Sequence, residues 1–148
     1  MGSLFHHLGV DNLRRAFREL DGSRACGVDG VTKQQYDAKL ESNLRALHDT
    51  IRSGGWRPRP SREVLIPKPQ GGTRPLAIGC LEDKIVQKLT ARILEAIYEP
   101  LFHRHSFGFR AGKSAHGALA RLHKVIRERR KNCVVVEMDI EKFFNSVD

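Results

Sequence analysis

The sequence predicts an α+β protein in which helices flank one β-hairpin and a short strand follows near the end. Four stretches show the amphipathic pattern of a helix, with apolar residues recurring at intervals of three and four. Two strand-like runs are separated by Pro-Gln-Gly-Gly-Thr, a composition typical of a tight turn. A Val-rich run from Cys133 to Met138 is short and apolar, as a buried strand requires.

Two helices are predicted before the hairpin. Asp11 to Leu20 forms a short amphipathic helix, followed by a glycine-punctuated loop. Thr32 with Gln35 is a capping-box pattern that marks the start of the second helix, and Gly54-Gly55 ends it. The inner face of this helix is formed by residues spaced four, four, three and four apart: Tyr36, Leu40, Leu44, Leu47 and Ile51.

The hairpin is predicted from strands at 63–66 and 76–78, with the turn at 69–73. Gly71-Gly72 permits the positive φ angles that a tight turn needs. Lys68 and Arg74 then lie on either side of the turn, where two cations could grip a triphosphate. The alternative is that they serve solubility and discourage edge pairing, as such residues do on many exposed hairpins.

Two further helices follow the hairpin. The first, Asp83 to Ile97, has an acidic first turn that suits the helix dipole. Its inward residues are predicted to be Ile85, Val86, Leu89, Ile93 and Ile97. The second, Ala115 to Arg130, has Ser114 as its N-cap. It is predicted to bury Leu119, Leu122, Val125 and Ile126.

The charge of the chain favours a polyanionic partner. Lys and Arg number 26 against 17 Asp and Glu, a formal net charge of +9, so nucleic acid is the first choice and an anionic membrane the second. No apolar run is long enough to span a bilayer. The three cysteines lack metal-like spacing, which favours reduced thiols. The basic residues that could contact phosphates without reading sequence are Arg57, Arg59, Arg62, Arg110 and Lys113, and a solvated loop is the alternative for the first three.

Asp139 follows the predicted Val-rich strand directly. A carboxylate at the exposed end of a buried strand is well placed to hold Mg²⁺, which prefers oxygen ligands. The alternative is that Asp139 caps a helix beginning at Ile140, and spacing alone slightly favours the cap.

Four blocks, in order, resemble reverse transcriptases of the group II intron maturase type. They are Ala25–Thr32, Ile66–Leu76, Ser106–His116 and Met138–Phe144, and together they span nearly the whole chain from about Leu13. The resemblance implies a right-hand polymerase, with an amino-terminal extension and helix-rich fingers at 1–131 and the start of the palm at 132–148. The hairpin would belong to the fingers, and the Val-rich run would be the first palm strand.

The resemblance also implies roles for individual residues. Lys68 and Arg74 would contact the incoming dNTP. Asp139 would bridge two Mg²⁺ ions, one of them also held by the backbone carbonyl of Ile140. Phe144 matches the steric gate that rejects a nucleotide 2′-hydroxyl. The implied partners are an RNA template, an RNA/DNA primer–template and intron RNA, without a membrane, and the implied location is the bacterial cytoplasm.

The family's second palm motif, Tyr-Ala-Asp-Asp, does not occur in this sequence. We therefore expect this stretch to act as the fingers and palm start of a larger RNA-directed DNA polymerase, inactive alone and able to form a homodimer through exposed apolar surface. Three alternatives remain open: a basic RNA-binding module, a CRISPR-associated or diversity-generating reverse transcriptase, and, with the least support, a metal-dependent nuclease.

Overall fold

The computed structural model describes residues 4–129, 134–141 and 143. It confirms the α+β class and divides the chain into two compact units, residues 1–100 and 101–148. The predicted boundary between fingers and palm, at residue 132, lies outside the described residues and stays a prediction. No helix in these described ranges is long and apolar enough to cross a membrane.

The first unit consists of four helices and the hairpin. A 3₁₀ turn at Leu4–Leu8 precedes them and another, Glu99–Leu101, follows. The elements are α1 (Val10–Glu19), α2 (Lys33–Asp37), α3 (Leu40–Arg52), β1 (Arg62–Pro67), β2 (Thr73–Ile78) and α4 (Leu81–Tyr98). The two strands pair antiparallel, with Arg62 opposite Ile78 and Pro67 opposite Thr73.

The core of the first unit lies where α1 packs against α3 and α4. Four of its side chains are fully buried, Leu13, Ala16, Leu44 and Ile85. The predicted inner face of α4 is confirmed at Ile85, Val86 and Leu89, which are buried, and at Ile93, which packs against the core. Ile97 was predicted wrongly, because it is 43% exposed. The ten residues of α1 span about 15 Å and the 18 of α4 about 27 Å, so α1 cannot cover the end of α4.

The single helix predicted beyond Thr32 is wrong in one respect, since the chain forms two helices broken at Ala38–Lys39. Lys39 leaves the helical region, with φ −129° and ψ 34°. The break is stabilised by side chains: Asn43 Nδ2 donates to the carbonyl of Tyr36 at 3.0 Å, and Ser42 Oγ donates to that of Lys39 at 2.9 Å. The Tyr36 carbonyl also accepts from the Lys39 N–H at 3.2 Å, and the Lys39 carbonyl from the Asn43 N–H at 3.0 Å, so both carbonyls at the break are paired.

The predicted capping box at the start of α2 is confirmed. Thr32 Oγ1 accepts from the Gln35 N–H at 3.2 Å, and Gln35 Oε1 accepts from the Thr32 N–H at 2.9 Å. We expect Thr32→Ala to lower the free energy of unfolding by about 1 kcal/mol, measured by urea unfolding. Thr50→Ala on the exposed side of α3 is the matched control, and an equal loss in both variants would contradict the role of the cap.

The second unit contains α5 (Ala115–Arg129). Ser114 caps it as predicted, since Ser114 Oγ accepts from the Gly117 N–H at 3.1 Å. The predicted burial of its apolar face is wrong: Leu119, Leu122 and Ile126 are exposed and Val125 is half-buried. Within the described part of residues 101–148 no second helix of comparable length and no sheet is present to receive this face.

The predicted buried strand at 133–138 is also not found. Cys133 lies outside the described residues, while residues 134–140 form no strand and Val134, Val135 and Val136 are exposed. A strand requires a neighbour for its backbone hydrogen bonds. The two strands in the described ranges, β1 and β2, pair with each other. The exposed valines agree with the expected apolar surface, and the homodimer stays a prediction.

Candidate functional site

The tip of the hairpin is a tight turn with a cation on each side, as predicted. The Lys68 N–H donates to the Gly72 carbonyl at 2.9 Å, and the Gly71 N–H donates to the Lys68 carbonyl at 3.1 Å. Gly71 and Gly72 have φ values of +93° and +78°, a region that side chains other than hydrogen disfavour. Arg74 pairs with Ile66 across the strands. This turn chemistry therefore fixes Lys68 and Arg74 near each other at one end of the sheet.

The side chains of Lys68 and Arg74 are exposed and make no hydrogen bond or ion pair with the residues that the structure describes. Charges that are not neutralised by the protein remain available for an anionic ligand. An Arg can grip phosphate oxygens with its planar fork, and a Lys acts beside it as a point charge. Two exposed cations beside one turn are the groups that binding of a polyphosphate would require.

Both faces of the hairpin are largely open to solvent. Residues opposite each other share a face, so Arg74 lies on the same side as Val64, Ile66 and Leu76, whereas Leu65 lies on the other side. Val64, Leu65 and Leu76 are 37%, 59% and 46% exposed. A two-stranded hairpin is marginally stable in water alone. Its orientation consequently depends on the segments that join it to the helices.

Those segments meet at a cluster of ion pairs at the base of the hairpin. Arg59 Nη1 lies 3.4 Å from Asp29 Oδ2, and Arg59 Nη2 lies 3.7 Å from Glu82 Oε2. The backbone N–H of Arg59 donates to Asp83 Oδ2 at 3.1 Å, and Asp83 is only 3% exposed. We call Asp29, Arg59, Glu82 and Asp83 the base clamp. Asp29, Arg59 and Glu82 line a cavity of about 530 Å³ together with Tyr36.

Tyr36 supports the base clamp from α2. Its hydroxyl donates to Glu82 Oε1 at 3.2 Å, and its ring lies 5.7 Å from that of Phe17 in the core. Burial, and then the negative charge of Glu82, raise the pKa of the Tyr36 hydroxyl well above its usual value. Tyr36 therefore stays protonated at neutral pH and keeps donating to Glu82.

Three of the arginines predicted to contact phosphates lie at or just before the start of the hairpin, and they have different surroundings. Arg57 Nη1 donates to the carbonyls of Gly54 and Trp56 at 2.9 and 2.8 Å, so it stabilises the turn after α3. Arg59 is part of the base clamp. Arg62 lies exposed in β1, and its side chain makes no hydrogen bond or ion pair within residues 4–129, 134–141 and 143. Of the three, Arg62 is the most available to a phosphate.

Arg110 and Lys113, in the loop before α5, also contact their own loop. Arg110 Nη1 donates to the carbonyls of His103 and Ser106 at 3.1 and 2.9 Å. Its guanidinium carbon lies 5.0 Å from the centre of the Phe102 ring, and Lys113 Nζ lies 5.8 Å from that of Phe107. Such cation–π contacts hold the loop in shape. Phosphate contacts by Arg110 and Lys113 stay predictions.

The same loop has two further features, an exposed aromatic ring and a contact between an arginine and a histidine. Phe109 has a fully exposed ring and a φ of +55°. This left-handed backbone region costs a non-glycine residue about 1 kcal/mol. Arg121 Nε donates to His105 Nε2 at 3.1 Å. Partial desolvation, and then the charges of Arg121 and Arg104, lower the pKa of His105, which is therefore neutral at pH 7.

Asp139 is exposed, and its Oδ1 accepts from the Ile140 N–H at 2.9 Å. An N-cap accepts from the second or third helical N–H, so this bond is not the predicted cap. Among the described residues no group of three His, Cys, Asp or Glu could hold a metal ion. One carboxylate and the Ile140 carbonyl fit a partial set of oxygen ligands for Mg²⁺. Phe144, the predicted steric gate, lies outside the described residues.

The sequence interpretation missed the base clamp. Its acidic members could be identified in the sequence, since Asp29 lies in the block Ala25–Thr32. Glu82 and Asp83, at the start of α4, were interpreted only as partners of the helix dipole. A signal was present: Arg59 is flanked by Pro58 and Pro60, which hold the backbone extended and so leave its N–H available to a side chain.

Comparison with known proteins identifies the second half of the chain. Residues 66–148 match the family described as "Reverse transcriptase (RNA-dependent DNA polymerase)". This match begins in β1 and includes Lys68, Arg74 and Asp139.

Three relatives extend the similarity toward the amino terminus. Protein YkfC of Escherichia coli (strain K12) is 38% identical over 132 residues, covering 85% of this chain and 34% of that protein. The uncharacterized 91 kDa protein in cob intron of Schizosaccharomyces pombe is 35% identical over 141 residues, 95% of this chain and 17% of that protein. The group II intron-encoded protein LtrA of Lactococcus lactis subsp. cremoris is 31% identical over 134 residues, covering 90% of this chain and 22% of that protein. The chain thus spans about a third or less of each relative.

Proposed function

This chain belongs to the reverse transcriptase family, and we propose that it forms the fingers and first palm motif of an RNA-directed DNA polymerase of the group II intron type. The observation that carries the proposal is the hairpin tip, where Lys68 and Arg74 flank a tight turn with their charges free of ion pairs to the described residues. This arrangement suits the triphosphate of an incoming dNTP.

The remaining roles complete the proposal. An RNA template and an RNA/DNA primer–template would contact Arg62 and, less directly, the loop with Arg110 and Lys113. Intron RNA is the further partner, and the bacterial cytoplasm is the proposed location. Asp139 and the carbonyl of Ile140 would hold Mg²⁺, which when bound supplies the positive charge that nucleotidyl transfer needs. Phe144 would reject a 2′-hydroxyl.

Nucleotidyl transfer is assigned to the full-length enzyme, and this chain alone is proposed to bind without extending a primer. Two Mg²⁺ ions need more carboxylates than Asp139 provides, and the sequence contains no Tyr-Ala-Asp-Asp motif. The relatives, of which the chain covers 17 to 34%, are long enough to include such residues.

The test is binding of magnesium-dTTP by calorimetry. We expect Lys68→Ala/Arg74→Ala to weaken binding about tenfold to a hundredfold, because each residue makes a charge-assisted contact. The matched control, Arg15→Ala/Arg45→Ala, removes the same charge from exposed sites on α1 and α3 and should change binding less than about twofold. Equal losses in the two variants would contradict a triphosphate grip at the tip.

A labelled RNA/DNA duplex distinguishes the proposal from a basic RNA-binding module. Both functions predict duplex binding that weakens with salt, since phosphate contacts release counterions. A polymerase must in addition bind the triphosphate, whereas an RNA-binding module has no use for it. Duplex binding by a chain that does not bind dTTP would therefore favour the module.

A further inference from the structure

We propose that Arg59 is a positioning residue: the base clamp fixes the angle at which the hairpin presents its tip, and Arg59 does not act as a phosphate contact. The inference rests on the proposed function of the tip, since positioning matters only if Lys68 and Arg74 bind a ligand. It also separates Arg59 from Arg62, although both were predicted from sequence to contact nucleic acid.

The base clamp gathers both ends of the hairpin at one place. Arg59 stands three residues before β1 begins, and Glu82 stands four residues after β2 ends. Asp29, in the loop before α2, forms an ion pair with Arg59. The carboxylate of the buried Asp83 accepts a hydrogen bond from the backbone N–H of Arg59. The entering and leaving strands are thus tied to the start of α4, which is anchored in the core by Ile85 and Leu89.

The clamp can control the tip because little else holds the hairpin. Both of its faces are largely exposed, and its internal hydrogen bonds fix its shape but not its direction. Six residues of β1 place the tip about 20 Å from the base, so a rotation of about 10° at the base moves the tip by about 3 Å. A shift of that size separates a cation from a phosphate oxygen.

The surroundings of Arg59 argue against a phosphate contact. Its guanidinium lies between Asp29, whose side chain is 13% exposed, and Glu82, whose side chain is 31% exposed. A phosphate would have to approach two carboxylates and displace them from the arginine. Like charges at that separation repel, so the site is unfavourable for an anion.

The deciding variant is Asp29→Asn/Glu82→Gln. Each amide keeps an oxygen that can accept from the present donor, the Val31 N–H for Asp29 and the Tyr36 hydroxyl for Glu82. The variant therefore removes both ion pairs of Arg59, keeps the neighbouring hydrogen bonds and raises the net charge by two. If Arg59 contacts a nucleic-acid phosphate, its release should tighten binding of the labelled RNA/DNA duplex. If Arg59 positions the hairpin, binding of magnesium-dTTP at the tip should weaken about threefold to tenfold.

A matched variant controls for the added charge. Asp37→Asn/Glu95→Gln makes the same two chemical changes at exposed residues of α2 and α4 that are not members of the clamp. It should bind magnesium-dTTP as tightly as the wild type or slightly more tightly, because added positive charge favours an anion. Tighter binding by both variants would overturn the positioning role.

A second measurement does not depend on ligand binding. Backbone ¹⁵N order parameters of β1 and β2 should match those of α1 and α4 in the wild type, at about 0.85, and fall below about 0.6 in Asp29→Asn/Glu82→Gln. Unchanged hairpin values would overturn the proposal. If the wild type binds no dTTP, the proposed tip function fails, while the order parameters still decide whether the clamp holds the hairpin.

Discussion

Ile85→Ala is expected to lower the free energy of unfolding by about 2–5 kcal/mol, among the largest effects of any single substitution in this chain. Ile85 is fully buried in α4, within the cluster that includes Leu13 and Phe17 of α1 and Leu44 of α3. Alanine removes apolar volume there and leaves a cavity that the surrounding helices can fill only in part. The loss therefore combines the transfer free energy of the deleted atoms with the lost packing contacts.

Urea unfolding followed by far-ultraviolet circular dichroism measures this effect. Leu94→Ala is the matched control, since Leu94 lies in the same helix and is 44% exposed. Alanine has the highest helix propensity, so the control should change stability by less than about 1 kcal/mol. A loss at Leu94 equal to that at Ile85 would mean that the core is not centred on the contact of α1 with α4.

Helix α4 also shows how far periodicity can predict a core. The spacing of Ile85, Val86 and Leu89 identified the inward face correctly, because apolar residues three and four apart share one side of a helix. The same pattern failed for Ile97 and for the apolar face of α5. Periodicity shows which side of a helix is apolar, but the length and position of its neighbours decide how much of that side is covered.

The candidate site likewise depends partly on residues that are adjacent in sequence and partly on residues that are far apart in sequence. The hairpin, its Gly71-Gly72 turn and the flanking Lys68 and Arg74 were predictable, because turn geometry is set by adjacent residues. The base clamp was not, because Asp29, Arg59 and Glu82 are separated by 30 and 23 positions and meet only after folding. Sequence spacing alone therefore assigned Arg59 to a ligand, whereas the fold gives it two intramolecular partners.

Gly27→Ala is expected to lower the free energy of unfolding by about 1–3 kcal/mol, as overpacking in a buried site typically does. Gly27 is buried, and a Cβ added there would lie 2.7 Å from both Cα and the backbone nitrogen of Cys80, and 2.8 Å from its Sγ. Cys80 is itself fully buried and precedes α4 directly. Since backbone atoms cannot rotate away as a flexible side chain can, the loop of Gly27 must move away from α4.

That movement should disturb the base clamp as well as lower the stability of the fold. Asp29 lies two residues after Gly27, so displacing the loop carries it away from Arg59. Gly79→Ala is the matched control beside Cys80, because its added Cβ would meet Asp83 Cβ at 3.9 Å, an ordinary contact. Thermal unfolding should therefore separate the two variants, and hairpin order parameters should fall only in Gly27→Ala. A fully stable Gly27→Ala with an ordered hairpin would show that close packing of this loop on α4 is not what holds the base clamp together.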